Sequence, residues 1–239
     1  MKTIPTCILA ALLATAASGA VTETISQTHP LAADGTIALS NVNGTISITA
    51  WDRNEVAIEA VKKAETAEDL ARIHVKIDAQ PTRLAITTEH EKYRPFGRSI
   101  RGEVKYTLRV PAGASLQKIE SVNSAITVTG MRAPVDLRTV NGGIRVTDLL
   151  GPAALHAVNG GLYAEFARLP AGVRVTFETV NGGCELVLPA DAGARIDART
   201  VNGGVHCELP VTIEDSGRGT IRGTIGDGGA ELKLRSVNG

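Results

Sequence analysis

Aromatic side chains are scarce in this sequence: one Trp, three Tyr and three Phe among 239 residues. Stacking platforms for bases or sugars therefore have little material to draw on. Charge of one sign is lacking too, since 25 Lys and Arg balance 25 Asp and Glu. Binding nucleic acid through its phosphates ordinarily requires a basic excess, so the composition argues against such a partner. No segment supplies the roughly 20 consecutive apolar residues of a membrane-spanning helix. The three Cys show no Cys-x-x-Cys spacing, and none of the five His stands at the short spacing of a zinc-binding helix. A Gly-x-Ser-x-Gly nucleophile elbow is absent as well.

What is present begins with an export signal. Lys2 gives a positive start, Ile8 to Ala17 is an apolar or small-residue run, and Ser18-Gly19-Ala20 offers small residues for cleavage after Ala20. Residues 1–20 thus read as a signal peptide, and the protein as exported to the periplasm, the cell surface or the medium of a bacterium. Cys7 lies inside the apolar run and not at the cleavage point, unlike a lipid-anchoring cysteine.

Glycine is plentiful at 25 residues, without a collagen period, and much of it belongs to a repeat. Val-Asn occurs seven times, at Val42, Val122, Val140, Val158, Val180, Val201 and Val237; from Val122 the successive spacings are 18, 18, 22 and 21 residues. Self-similarity at this period marks a serially repeated supersecondary unit. Three residues before the Val stand Leu137, Leu155, Phe177 and Ala198. Four after it stand Ile144, Leu162, Cys184 and Val205; six after, Val146, Ala164, Leu186 and Cys207. Polar or outward residues (Arg145, Tyr163, Glu185, His206) separate these two rows. The alternation has period 2, so each unit is strand, corner, strand. The predicted corners are Asn43, Asn123, Asn141, Asn159, Asn181, Asn202 and Asn238, where Asn and Gly tolerate positive φ.

Two architectures satisfy this pattern. Each unit is one coil of a parallel β-solenoid, with equivalent residues about 4.8 Å apart, or each Asn-Gly closes an antiparallel hairpin. Polar rows favour the solenoid. Stacking in sequence order sets Lys118 beside Asp136, Glu120 beside Arg138 and Glu178 beside Arg199, opposite charges in each case. The Asn residues share the parity of the inward rows, which predicts a hydrogen-bonded ladder under the corner. Cys184 and Cys207 would lie on adjacent coils at a diagonal of roughly 8 Å, beyond bridging range; two buried, unbridged thiols are expected.

Upstream, residues 21–110 carry further period-2 runs, such as Ile46-Ser47-Ile48-Thr49 and Leu84-Ala85-Ile86, and one predicted helix over Ala64 to Arg72. Pro111-Ala112-Gly113 marks a soft boundary. The repeat region, residues 111–239, is either separate from this β-rich portion or continuous with it. The fold class read from the residues is all-β, a parallel solenoid-like repeat with one short helix.

The recurring Thr-Val-Asn-Gly-Gly at Thr139, Thr179 and Thr200 follows an upstream Ala50-Trp51-Asp52-Arg53-Asn54-Glu55-Val56. Gly223-Thr224-Ile225-Gly226-Asp227-Gly228-Gly229 and Ser236-Val237-Asn238-Gly239 come near the end. Together these resemble the bacterial putative-adhesin family, exported proteins built on a domain of unknown function. The resemblance covers nearly the whole chain after residue 20. It implies a right-handed β-helix-like fold and a cell-envelope or secreted location, and brings no catalytic residues or cofactor. Proteins of this type usually continue past the last Val-Asn-Gly with another strand, whereas this sequence stops at Gly239.

Three functional readings follow. The first is a non-enzymatic, adhesin-like envelope protein that binds a polysaccharide or protein. The second is a self-associating scaffold that uses exposed solenoid ends. The third is a glycan-cleaving β-helix enzyme, which needs clustered carboxylates. Asp136, Asp148, Asp191 and Asp197 do not share one repeat position, so the register does not gather them; Asp227-Gly228-Gly229 lacks a full calcium-binding nonapeptide. The candidate contact surface is the segment holding Lys92, Arg94, Phe96, Arg98 and Arg101, whose cations suit an acidic glycan or lipid headgroup.

Overall fold

The computed structural model describes residues 20–91 and 101–239. The first part of the chain forms β1 (Val21–Pro30), β2 (Thr36–Asn43), β3 (Ile46–Trp51), β4 (Glu55–Ala64), α1 (Ala67–Ala71), β5 (Ile73–Gln80), β6 (Arg83–His90) and β7 (Gly102–Pro111). Four coils follow, as the pairs β8 (Ser115–Asn123) with β9 (Ile126–Thr129), β10 (Val135–Asn141) with β11 (Ile144–Leu149), β12 (Ala153–Asn159) with β13 (Leu162–Phe166), and β14 (Arg174–Asn181) with β15 (Cys184–Val187). The chain closes with β16 (Ala194–Asn202), β17 (Val211–Gly217), β18 (Thr220–Ile225) and β19 (Ala230–Asn238).

Two sheets result. One runs β1-β4-β7-β3-β9-β11-β13-β15, the other β17-β18-β16-β19-β14-β12-β10-β8-β2-β6-β5. The corners at Asn43, Asn123, Asn141, Asn159 and Asn181 carry the chain from the second sheet to the first. Consecutive coils pair in parallel, Asn141 opposite Asn159 and Ile144 opposite Leu162. The hairpin alternative is therefore excluded: the chain is a β-solenoid-like stack. Its parallel middle is bounded by antiparallel strands, β1 on β4 and β5 on β6 at one end, β17 on β18 and β18 on β16 at the other. Strands on either side of Pro111 pair with one another, β2 with β8 and β3 with β9, and one buried core runs through both portions.

The alternation read from the sequence sets the core. Leu137, Leu155 and Phe177 from one sheet meet Ile144, Val146, Leu162 and Ala164 from the other, all buried. Burying a Leu, Ile or Phe side chain contributes about 1.5–3 kcal/mol, so these rows hold the two sheets together. Tyr106 is buried in the same core, on β7, its hydroxyl 2.7 Å from Thr88 Oγ1; burial pushes its pKa up to about 12, against the opposing effect of that hydrogen bond.

Several expectations need correction. The helix is shorter than Ala64 to Arg72, because Ala64 still pairs in β4; Thr66 Oγ1 caps it by accepting from the Asp69 N–H at 3.1 Å. Coils do not stack in sequence order at the end, since β19 lies between β14 and β16. Glu178 consequently neighbours Arg235, not Arg199, and Arg199 also neighbours Arg235. Glu120 does sit opposite Arg138. Lys118 does not meet Asp136: it occupies the left-handed region at φ 63° where the register shifts, and its ammonium lies 3.7 Å from Glu120 on its own strand. Cys184 and Cys207 are unbridged, but both are half-buried, and Cys207 lies in the irregular segment after β16 and not on a strand.

Candidate functional site

The corners form a continuous ridge along the solenoid. Asn123 Nδ2 donates to Asn43 Oδ1 at 2.9 Å, Asn141 to Asn123 at 2.8 Å, Asn159 to Asn141 at 2.9 Å and Asn181 to Asn159 at 2.8 Å. Asn238 donates to Asn181 at 2.7 Å and Asn202 to Asn238 at 2.8 Å. All seven predicted corner residues stand in this one ladder. It lies on the surface and not under the corner, because the backbone turns there and breaks the strand's parity.

The inward position beneath the ridge belongs to the residue before the Val. Thr139 Oγ1 donates to Ser124 O at 3.0 Å, Thr179 to Gly160 O at 3.0 Å, Ser236 to Gly182 O at 2.9 Å and Thr200 to Gly239 O at 2.9 Å. Each hydroxyl thereby satisfies a corner carbonyl of the neighbouring coil that a Val or Ala could not. The glycines answer the same close approach. A Cβ on Gly160 would overlap the carbonyl oxygen of Gly142 one coil away. None of the corner Asn residues has positive φ, so close packing, more than left-handed backbone, explains the Asn-Gly-Gly sequence.

In six of the seven motifs the Val points outward, Val42 being half-buried. Val122, Val140, Val158, Val180 and Val237 are 39–41% exposed and Val201 is 75% exposed. Their flanking residues pair in register, so they form one apolar stripe beside the amide ladder. Sequence reasoning passed over this stripe, although the signal was available: Val alternates with the inward Thr and Leu of the same strand. Around the corner, on the outer face of the other sheet, Thr127, Arg145, Tyr163 and Glu185 fall in one row, with the Arg145 guanidinium 4.0 Å from the Tyr163 ring centre.

Elsewhere the predicted features separate. Lys92, Arg94, Phe96 and Arg98 lie outside the described residues; Arg101 is exposed, with Nη1 3.4 Å from Glu65. Asp136 is held by Arg138 at 3.1 Å, and Asp197 by Arg199 at 2.7 Å. Among the described residues no three His, Cys, Asp or Glu side chains gather as metal ligands, and no helix is long and apolar enough to cross a membrane.

Similarity to known proteins agrees with this architecture. None of the curated proteins matches the chain. A solved structure described as a putative cell adhesion protein from Clostridium sporogenes ATCC 15579 is similar over 90% of this chain and 96% of its own, with a TM-score of 0.52 at 12% identity. Another, described as a putative lipid binding protein from Parabacteroides distasonis ATCC 8503, aligns over 70% of this chain and 74% of its own, with a TM-score of 0.31 at 12% identity. The first likeness shows the fold. The model of the Toastrack DUF4097 family matches residues 34–239, and the chain belongs to that family.

Proposed function

We propose that this protein is a non-enzymatic binding module of the bacterial envelope or extracellular space, engaging a polysaccharide or protein of another surface through its corner ridge. One observation carries the reading: valines at a single repeat position stand exposed in a row, backed by an unbroken amide ladder. A stripe of β-branched side chains on a rigid sheet offers apolar contact at little entropic cost, and the amides beside it offer hydrogen bonds along the same line. A chain that only had to fold would gain solubility from polar residues there. The Clostridium sporogenes protein of the same fold is described as a putative cell adhesion protein, which suits this role. The signal-like residues 1–20 support export.

The test is retention on immobilised whole-envelope extract. Replacing Val140, Val158 and Val180 together by the isosteric Thr should weaken retention about tenfold, equivalent to about 1.4 kcal/mol, with the melting temperature held within a few degrees. Unchanged retention would remove the ridge from the reading. The basic segment is a second contact in this proposal. Arg94→Ala with Arg98→Ala should weaken retention on acidic glycan and leave the melting temperature unchanged.

A further inference from the structure

The outer face of the eleven-stranded sheet carries rows of polar side chains across β14, β19, β16 and β18. Full charges that face one another in register on this sheet are opposite, as in Glu120 with Arg138, Arg174 with Glu231 and Asp197 with Lys233. One pair among the described residues breaks the rule: Arg235 on β19 faces Arg199 on β16. Like charges directly opposite destabilise a sheet, so this contact costs the fold something unless an anion joins it.

Further cations gather around the pair. The four strands turn Arg174, Arg195, Arg199, Arg222, Lys233 and Arg235 outward against the carboxylates of Glu178, Asp197 and Glu231, although the whole chain balances 25 cations with 25 acids. Asp197 is shared by Arg199 at 2.7 Å and Arg222 at 3.8 Å, and Glu231 takes Arg174 at 2.9 Å. Arg195, Lys233 and Arg235 are exposed and form no ion pair with any described residue. Beside them lies a depression of about 310 Å³, lined by Arg174, Arg195, Arg222 and Lys233 together with Asp197, Glu214 and Glu231.

We propose that this face binds an acidic polysaccharide, a polymer whose carboxylates are separated by neutral, hydroxyl-bearing parts. The backbones of Arg235 and Arg199 stand about 4.8 Å apart, so one carboxylate reaches both guanidinium forks and replaces repulsion with charge-assisted hydrogen bonds. Lys233 and Arg195 offer further donors at the depression. Asp197, Glu214 and Glu231 accept from uncharged sugar hydroxyls. The same carboxylates repel a ligand that is charged at every unit, which disfavours nucleic acid and an anionic bilayer. The uncharged outward residues of these rows are Thr176, Thr220 and Thr224, so no apolar side chain stands among the cations to enter a bilayer. The contact differs from the corner ridge in place and in chemistry, since it requires cations where the ridge uses valine and amide.

The probe is polygalacturonate, a polymer of uronic acid, titrated against the protein at low salt. Lys233→Gln with Arg235→Gln should raise the dissociation constant about tenfold. The melting temperature should not fall, because the like-charge contact is relieved. Lys76→Gln with Arg138→Gln removes the same charge elsewhere on the same sheet and should change binding by less than about twofold. Neutral dextran should not bind. Equal weakening by the two double variants would assign binding to net charge and overturn the proposal. So would an unchanged affinity in the β19 variant, binding of dextran as tight as that of polygalacturonate, or retention on phosphatidylglycerol vesicles alone. Because the ligand is a purified polymer, each of these outcomes holds whether or not the ridge retains envelope extract.

Discussion

The middle of the solenoid and its far end are made from the same repeat, yet they are not equally finished. The coils β8/β9, β10/β11 and β12/β13 each have a coil on either side, in both sheets. Their inward rows are buried, the Thr139 and Thr179 hydroxyls are bonded to corner carbonyls, and a Cβ on Gly160 would overlap the carbonyl of the next coil. At the end the eleven-stranded sheet is completed by β19, β16 and an antiparallel cap, while the eight-stranded sheet stops at β15 and leaves Cys184, Leu186 and Leu188 half-covered. A repeat therefore fixes the local geometry of each coil but not its completion. Completion depends on what stands next to it.

The largest effect separating these regions should come from truncating equivalent core positions. Phe177→Ala in the middle should cost about 3–5 kcal/mol, whereas Leu186→Ala on the half-covered edge strand β15 should cost no more than about 1 kcal/mol, as less apolar surface is buried there. Equal losses in chemical denaturation would break the comparison.

The glycine rows sharpen it. Gly160→Ala must push two coils apart and should cost about 1–3 kcal/mol. Gly183→Ala enters open space and should lie within about 0.5 kcal/mol of the parent. Matching melting temperatures for the two variants would mean that the coils are not in contact at the corner.

A smaller effect belongs to the opposite end. On β6, the Nε2 atom of His90 is buried without a hydrogen-bond partner among the described residues, and burial holds its pKa below the ordinary 6.5. The unfolded chain then takes up the proton more readily. The contribution of neutral His90 is complete above about pH 6.5 and is lost as pH falls from there towards the lowered folded value. Melting temperatures measured between pH 8 and pH 5 should fall on the acid side, and His90→Gln should flatten that limb. An unaltered acid limb would assign the fall to other groups.

Much of this fold can be read from residues. The Val-Asn spacing gives the coil, the apolar rows give the core, and the opposed charges at Glu120 and Arg138 give the register. Other features follow from three-dimensional relations that the spacing does not carry. Ser236-Val237-Asn238-Gly239 has the same motif as its neighbours, so nothing local tells that it slips between β14 and β16; the excursion through β17 and β18 decides that. Lys118 misses Asp136 because a single left-handed residue shifts the register. The amide ladder was legible as a ladder, but its exposure was not, because parity fails where the chain turns. The valine stripe was legible in principle: a β-branched residue in a polar row is a surface feature once the inward row is known.

The insertion of β19 underlies both the closed sheet and the open one, and paired cysteines test it most directly. In a chain with Cys184 and Cys207 changed to Ser, residues facing each other on adjacent parallel strands are about 4.8 Å apart, within disulfide range, while those two strands apart are not. Glu178→Cys with Arg235→Cys should form a disulfide on mild oxidation, and Glu178→Cys with Arg199→Cys should not. The reverse outcome would place β16 directly on β14 and contradict the account.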